Sequence, residues 1–303
     1  MTARYRVGTR RSALARAQTD WVLARLSRAV PDTPLELVPL DASGDWDRSL
    51  GGSPDFTDSL DRALIRGELD LAVHSAKDLP VELDPRLELV ACPRRADARD
   101  CLVLARPRRA ESPPHGARIG SSSLRRRAQL LRWRPDLNVV EIRGNVDTRI
   151  GLVRSGAIDG AVLAIAGITR LGRADEIDRP LPASSFLPAP AQGALAVLAR
   201  SGDTGPASAA RRIDHAGTHA CVAAERAFAA ALGGDCRLPL GALATARSGA
   251  ISLVGEVLTP DGRMSMRRRG RGRTSEAITV GSRLARTMLD AGALNLMAPA
   301  RRP

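Results

Sequence analysis

Two short segments carry side chains that could do covalent or acid–base work. His74-Ser75-Ala76-Lys77-Asp78-Leu79-Pro80 follows directly on an apolar stretch, at the strand-end position where α/β proteins collect their chemistry. Asp78 is the candidate catalytic carboxylate, placed to stabilise a developing cation or to shuttle a proton. The competing reading is a loop cap paired locally with Lys77. His74 reads as a strand-end packing residue. In Gly233-Gly234-Asp235-Cys236-Arg237-Leu238-Pro239, a glycine-started turn could hold Cys236 as a thiolate beside Arg237 and offer it to an electrophile. Taken alone, the same cysteine reads as a buried inert thiol.

Around these candidates lie guanidiniums and hydroxyls suited to anions. Thr9-Arg10-Arg11-Ser12 and Ser121-Ser122-Ser123-Leu124-Arg125-Arg126 each precede a helical pattern, so backbone N–H groups and the helix dipole already favour negative charge there. Arg143-Gly144-Asn145-Val146-Asp147-Thr148-Arg149 adds two arginines beside a glycine, and Arg170 follows the strand-turn at Ala164 to Ile168. Bidentate arginines at these points suit a ligand with several carboxylates or phosphates. Any one of them reads equally well as a solvated arginine.

The elements that must position these residues occur twice. A strand at Arg6-Val7-Gly8, a helix starting at Ser12 with Leu14, Ala17, Trp21 and Ala24 at helical spacing, a strand at Leu35–Leu40, a helix around Ser59–Arg66 and a strand at Leu69–Val73 make the first series. Ile119-Gly120, a serine-rich turn, a helix at Leu124–Arg132, a strand at Leu137–Ile142, a helix around Asp147–Arg154 and a strand at Ala161–Ile165 make the second. Gly67-x-x-Asp70-x-Ala72-Val73 corresponds to Gly156-x-x-Asp159-x-Ala161-Val162, and Ala17-Gln18 to Ala128-Gln129. Two alternating β/α lobes imply a bilobal protein with ligand held where strand carboxyl ends and helix starts meet. From about Thr218 an Ala-rich helix ends at Gly233-Gly234, a hairpin turns at Pro260-Asp261-Gly262, and a last helix opens near Thr274-Ser275, which predicts a separate small α+β domain.

Composition narrows the class. The 303 residues suffice for two or three lobes. The longest apolar run, Gly160 to Ile168, is too short to cross a bilayer, and no apolar stretch follows the charged N-terminus; a soluble chain without an export signal is expected, with no membrane partner. Cys92, Cys101, Cys221 and Cys236 form neither a Cys-x-x-Cys pair nor a zinc-like spacing with His, which predicts no metal and no disulfide framework, and fits a reducing cytosol. A net charge of +13 raises nucleic acid, but three Trp, three Phe and one Tyr give little to stack on bases. Six arginines between Arg263 and Arg273 are better read as a solvated hairpin edge blunted by charge, so no nucleic-acid partner is expected. Of the 46 Lys and Arg residues only Lys77 is lysine, which singles it out for a role that a guanidinium cannot fill.

In order, GTRRSALARAQ, HSAKDLP, IGSSSLRRRAQL, RGNVDTR, AIAGITRLG, LPAPAQGAL and AERAFAAALGGDCRLPLG resemble the porphobilinogen deaminase (hydroxymethylbilane synthase) family, from Val7 to about Gly241 and more loosely to the C-terminus. The resemblance implies two periplasmic-binding-protein-like (type II) α/β lobes, residues 1–95 with 194–212 and residues 99–190, plus an α+β domain over 216–303 that bears the cofactor cysteine. It implies a cytoplasmic, monomeric transferase that joins four porphobilinogen molecules head to tail with loss of ammonia. The linear tetrapyrrole would be released by hydrolysis and passed to uroporphyrinogen-III synthase.

A dipyrromethane primer would be carried on Cys236 through a thioether. Asp78 would assist loss of the amino group and stabilise the resulting azafulvenium-like cation. Lys77, Asp78, Ser123, Arg125 and Arg126 match primer-holding residues; Arg10, Ser12, Arg143, Arg149 and Arg170 match those around substrate and growing chain. The chain departs from the family at Gly51-Gly52-Ser53-Pro54-Asp55-Phe56, where Gly-Gly-Lys-Gly-Leu-Phe is usual, at Asp58-Ser59, at Asp235 and at Ala191, which replaces a glycine. These departures keep open a weak or repurposed paralogue that binds acidic pyrroles without efficient elongation.

Overall fold

The computed structural model describes residues 4–41, 58–105, 112–234 and 238–297. Along the chain run β1 (Tyr5–Arg10), α1 (Ala13–Ala29), β2 (Leu35–Leu40), α2 (Asp58–Ile65), β3 (Leu71–Ser75) and β4 (Leu87–Ala91). Then follow β5 (Asp100–Leu104), β6 (Arg118–Gly120), α3 (Leu124–Trp133), β7 (Asn138–Val140), α4 (Val146–Arg154), β8 (Gly160–Ala164), α5 (Ile165–Arg170) and β9 (Arg179–Pro180). Last come β10 (Leu195–Arg200), α6 (Thr204–Arg211), α7 (Ala216–Ala231), β11 (Leu240–Arg247), β12 (Ala250–Leu258), β13 (Ser265–Arg273), α8 (Ala277–Asp290) and α9 (Ala293–Met297).

The chain folds as two compact units, Met1–Arg95 with Ala194–His219, and Ala96–Gly193 with Ala220–Pro303. In the first, a five-stranded sheet has the order β2-β1-β3-β10-β4. β1 runs parallel to β2 and β3, and β10 enters antiparallel to both β3 and β4. The second unit contains a sheet of order β7-β6-β8-β5-β9, with β6 parallel to β7 and β8 and β5 antiparallel to β8 and β9. Order and direction are the same in the two sheets, so the fold is α/β with two periplasmic-binding-protein-like lobes. Each sheet receives its antiparallel strand from a distant stretch of chain.

The sequence repeat is a repeat of contacts. Asp70 Oδ2 accepts the backbone N–H of Arg6 at 2.7 Å, and Asp159 Oδ2 accepts that of Arg118 at 2.7 Å. Each aspartate fastens the turn before the third strand to the start of the first. Ser12 caps α1 by accepting from the Ala15 N–H, and Ser123 caps α3 by accepting from the Arg126 N–H.

Some expectations shift. The buried face of α1 is Gln18, Thr19, Val22 and Leu26 rather than Leu14, Ala17, Trp21 and Ala24. Trp21 lies under the Arg25 guanidinium, 3.2 Å from its ring centroid, and is only half-buried, while Gln18 is taken inward by a hydrogen bond to Ser75. The ladder of β7 covers only Asn138–Val140; Leu137 and Ile142 are buried as side chains but lie outside the strand pairing.

The rest of the second unit is an antiparallel sheet, β11-β12-β13, whose hairpin turns between Leu258 and Ser265 as expected. Phe228, Leu253, Val257, Val280, Leu284 and Met288 form its core with helices α7, α8 and α9. Gly255 is required there: a Cβ would lie 2.4 Å from the Phe228 ring.

Candidate active site

In the first unit the candidate residues share one end of the sheet. β1 and β3 are neighbouring parallel strands, so Arg10 at the end of β1 and the 3₁₀ turn Ala76–Asp78 after β3 leave from the same edge. Gln18 Nε2 donates to Ser75 Oγ at 2.9 Å, tying α1 to that edge, and the Ala76 N–H donates to Ala194 O at 3.1 Å. On this framework Lys77 and Asp78 are exposed. Among the described residues the Asp78 carboxylate has no hydrogen-bond or ion-pair partner, so the reading of a cap paired with Lys77 does not hold. His74 is buried below, its Nε2 3.3 Å from Asp61 Oδ1, in keeping with a packing role.

In the second unit Ser123, Arg125, Arg126, Arg143, Arg149 and Arg170 leave the carboxyl ends of β6, β7 and β8 or the helices that follow them. They divide by what they touch. Arg125 and Arg126 are buried and grip Asp100: Arg125 NH1 lies 2.8 Å from Oδ2 and Arg126 NH2 2.7 Å from Oδ1. Arg125 also donates to Leu187 O at 2.7 Å and Arg126 to Val162 O at 3.1 Å. Burial would push Asp100 up, but the two guanidiniums hold it down to about 2. Two cations against one carboxylate leave net positive charge at the first turn of α3.

Arg149 reaches that same turn, donating to Ser122 Oγ at 3.3 Å and to Gly144 O at 2.9 Å. Burial and then repulsion from Arg126 lower its pKa. Arg170 donates to Gly193 O at 2.7 Å, and burial pushes it down to about 10. Neither Arg149 nor Arg170 has a carboxylate within ion-pair distance among the described residues. Arg143 differs: it is exposed and paired with Glu141 at 3.0 Å. Gly193, at φ +85, is needed beside Arg170, because a Cβ would meet Ala96 O at 2.9 Å.

Sequence reasoning did not single out Asp100, Gln192 or Glu225. Gln192 Nε2 donates to Asp100 Oδ1 at 2.9 Å and to Ala98 O at 2.7 Å. Glu225 is fully buried and accepts the N–H groups of Ala191 and Ala244. The one available signal was Asp100 itself, a carboxylate heading the otherwise apolar Asp100–Leu104 strand.

Cys236 and Asp235 lie outside the described residues, as do residues 42–57, which include the departure at Gly51–Phe56. The three described cysteines, Cys92, Cys101 and Cys221, are buried, and burial pushes the Cys101 thiol up to about 12. Five of the six hairpin arginines sit on the edge strand β13, where Arg267 pairs with Glu256 at 2.9 Å; Arg263 lies in the turn before it.

Residues 5–207 match the family model described as porphobilinogen deaminase, dipyromethane cofactor binding domain, and residues 219–290 match the porphobilinogen deaminase C-terminal domain. The porphobilinogen deaminase of Syntrophus aciditrophicus is 41% identical over 95% of this chain and 95% of its own length. That of Thermus thermophilus is 42% identical over 97% and 98%. Among solved structures, the periplasmic aliphatic sulphonate binding protein SsuA of Escherichia coli is similar over 78% of this chain and 73% of its own, at 13% identity and a TM-score of 0.42. Full-length likeness at this level of identity, with both domain models matched in order, means that the chain belongs to the porphobilinogen deaminase family of transferases, with a dipyrromethane cofactor.

Proposed function

We propose that the protein is a hydroxymethylbilane synthase: it deaminates four porphobilinogen molecules, joins them head to tail on a dipyrromethane attached through a thioether to Cys236, and releases the linear tetrapyrrole by hydrolysis. The observation that carries this reading is the pair of half-buried guanidiniums, Arg149 and Arg170, which have no carboxylate within ion-pair distance among the described residues. Cations that are partly desolvated and have no anion among the described residues are suited to the acetate and propionate groups of a pyrrole.

The same donor set fits the cofactor, whose pyrroles bear such carboxylates. When bound, dipyrromethane supplies the free pyrrole carbon to which the first substrate is joined. Ser123, Arg125, Arg126 and Lys77 hold its carboxylates, the two arginines through the positive charge left over from Asp100. Arg10, Ser12, Arg143, Arg149 and Arg170 hold substrate and growing chain. Asp78, exposed and without a partner among the described residues, faces the positive charge that develops as ammonia leaves and can hold the proton that moves with it. The inertness of Cys101 supports Cys236 as the carrier.

The domain division 1–95 with 194–212, 99–190 and 216–303 is supported by the three separate sheets. Cytosolic placement, a monomeric chain and delivery of product to uroporphyrinogen-III synthase rest on family resemblance.

The test is intact mass. The purified protein is expected to exceed its sequence mass by one dipyrromethane, and Cys236→Ser to lose that increment along with turnover of porphobilinogen. An active protein of unmodified mass overturns the reading. A loaded protein that consumes no porphobilinogen would instead favour the repurposed paralogue suggested by the altered Asp45–Ser59 stretch of the sequence.

A further inference from the structure

A second cationic site lies wholly within the first unit. A pocket of about 400 Å³ is lined by Arg25, Arg28 and Ala29 of α1, by Pro93 and Arg94 after β4, and by Arg212 to His215 after α6. That volume is at the small end of the range for small-molecule sites, about 300–1,000 Å³.

Four exposed arginines from three separate stretches of chain line it, and among the described residues none has a carboxylate within ion-pair distance. Elsewhere in the unit arginines are commonly paired: Arg6 with Asp70, Arg86 with Asp84, Arg211 with Glu88. The one acid in the lining, Asp214, is already engaged, its Oδ1 accepting from the Cys92 N–H at 2.6 Å and lying 2.9 Å from His219 Nδ1. His215 Nδ1 accepts the Thr218 N–H at 3.1 Å, which leaves the ring proton on Nε2 as a further donor.

The plain alternative is that these arginines serve the C-terminal ends of α1 and α6, and Arg212 does donate to Ala29 O at 3.2 Å. Each helix end offers only about half a negative charge. Two such ends and Asp214 leave roughly two of the four positive charges uncompensated. Arg25, stacked on Trp21, has its pKa lowered by burial and by Arg28, in line with cations crowded together without an anion.

We propose that this pocket is a binding site for a small multivalent anion, a compact molecule carrying two or more phosphate or carboxylate groups, separate from the pyrrole-binding residues. The test is calorimetric titration of the purified holoenzyme with pyrophosphate and with citrate at constant ionic strength, acetate serving as the monovalent control. A saturable isotherm is expected for at least one multivalent anion. It should weaken at least tenfold in Arg28→Gln/Arg94→Gln, two exposed positions, with turnover of porphobilinogen unchanged. Pyrophosphate alone would assign the site to phosphates, citrate alone to polycarboxylates.

An isotherm unaffected by the double substitution would place the anion at other arginines and overturn the proposal, as would acetate binding equally well. Loss of DNA binding in the variant without loss of pyrophosphate or citrate binding would assign the patch to nucleic acid instead. If the double variant melts below the wild type, Arg94→Gln alone, a residue without hydrogen-bond partners among those described, gives the same reading.

Discussion

Ala191 holds a left-handed backbone conformation, φ +60, while its N–H donates at 2.5 Å to Oε2 of the fully buried Glu225. The family's usual glycine at this position is thereby explained: only glycine adopts such a φ without a Cβ penalty. The other oxygen of Glu225 accepts the Ala244 N–H at 2.7 Å, so one carboxylate joins the segment before Gln192 to β11.

Ala191→Gly should therefore stabilise the protein by about 1 kcal/mol. Glu225→Ala, which strands two buried N–H groups, should destabilise it by on the order of 3 kcal/mol. Urea unfolding of both variants measures the two changes; a destabilised Ala191→Gly contradicts the strain.

Asp100→Asn leaves Arg125 and Arg126 buried beside a neutral partner and is expected to cost about 3–5 kcal/mol at neutral pH. Because the folded carboxyl group is held at about 2, below its unfolded value of about 3.9, its contribution is complete above about pH 4. That contribution is lost as pH falls through about 2. Wild type and variant should consequently converge in stability on acidification, which unfolding curves at pH 7, 4 and 2.5 would show.

Arg170→Ala removes a half-buried cation whose only described protein acceptor is Gly193 O. Its cost should fall on substrate: kcat/KM for porphobilinogen is expected to drop about 10- to 100-fold, the range for hydrogen bonds to a charged group. Thermal stability should hardly change or should rise, since a partly desolvated charge with no described counter-ion is relieved. A large fall in melting temperature with normal kcat/KM would assign Arg170 to the scaffold.

Asp78→Ala should leave the melting temperature at the wild-type value, because the exposed carboxylate has no described partner to lose. Turnover should fall at least 100-fold, as for removal of a general acid–base group. Turnover near that of the wild type would refute the role.

Replacing Lys77 by Arg keeps the charge but changes a compact ammonium into a planar fork. If the chain retains its one lysine for function, the variant should carry less dipyrromethane by mass. Full loading would mean that its uniqueness is compositional chance.

The sequence by itself determined the features that local chemistry dictates. The doubled β/α series, the serine caps of α1 and α3 and the hairpin near Gly262 all follow from short-range periodicity and backbone preference, and each lies within a residue or two of its expected place. Membership of the family was legible because its motifs occur in order along the chain.

Tertiary structure decided which charges are already satisfied. Arg125 and Arg126 look in the sequence just like Arg149 and Arg170, yet the first pair shares the carboxylate of Asp100, which lies on a strand 25 residues away and antiparallel to β8. The buried face of α1 was decided in the same way, by a Gln18–Ser75 bond spanning 57 residues. Periodicity reports a residue's own turn of helix or strand. The partner that a buried charge or amide finds depends on which distant strand the fold inserts beside it.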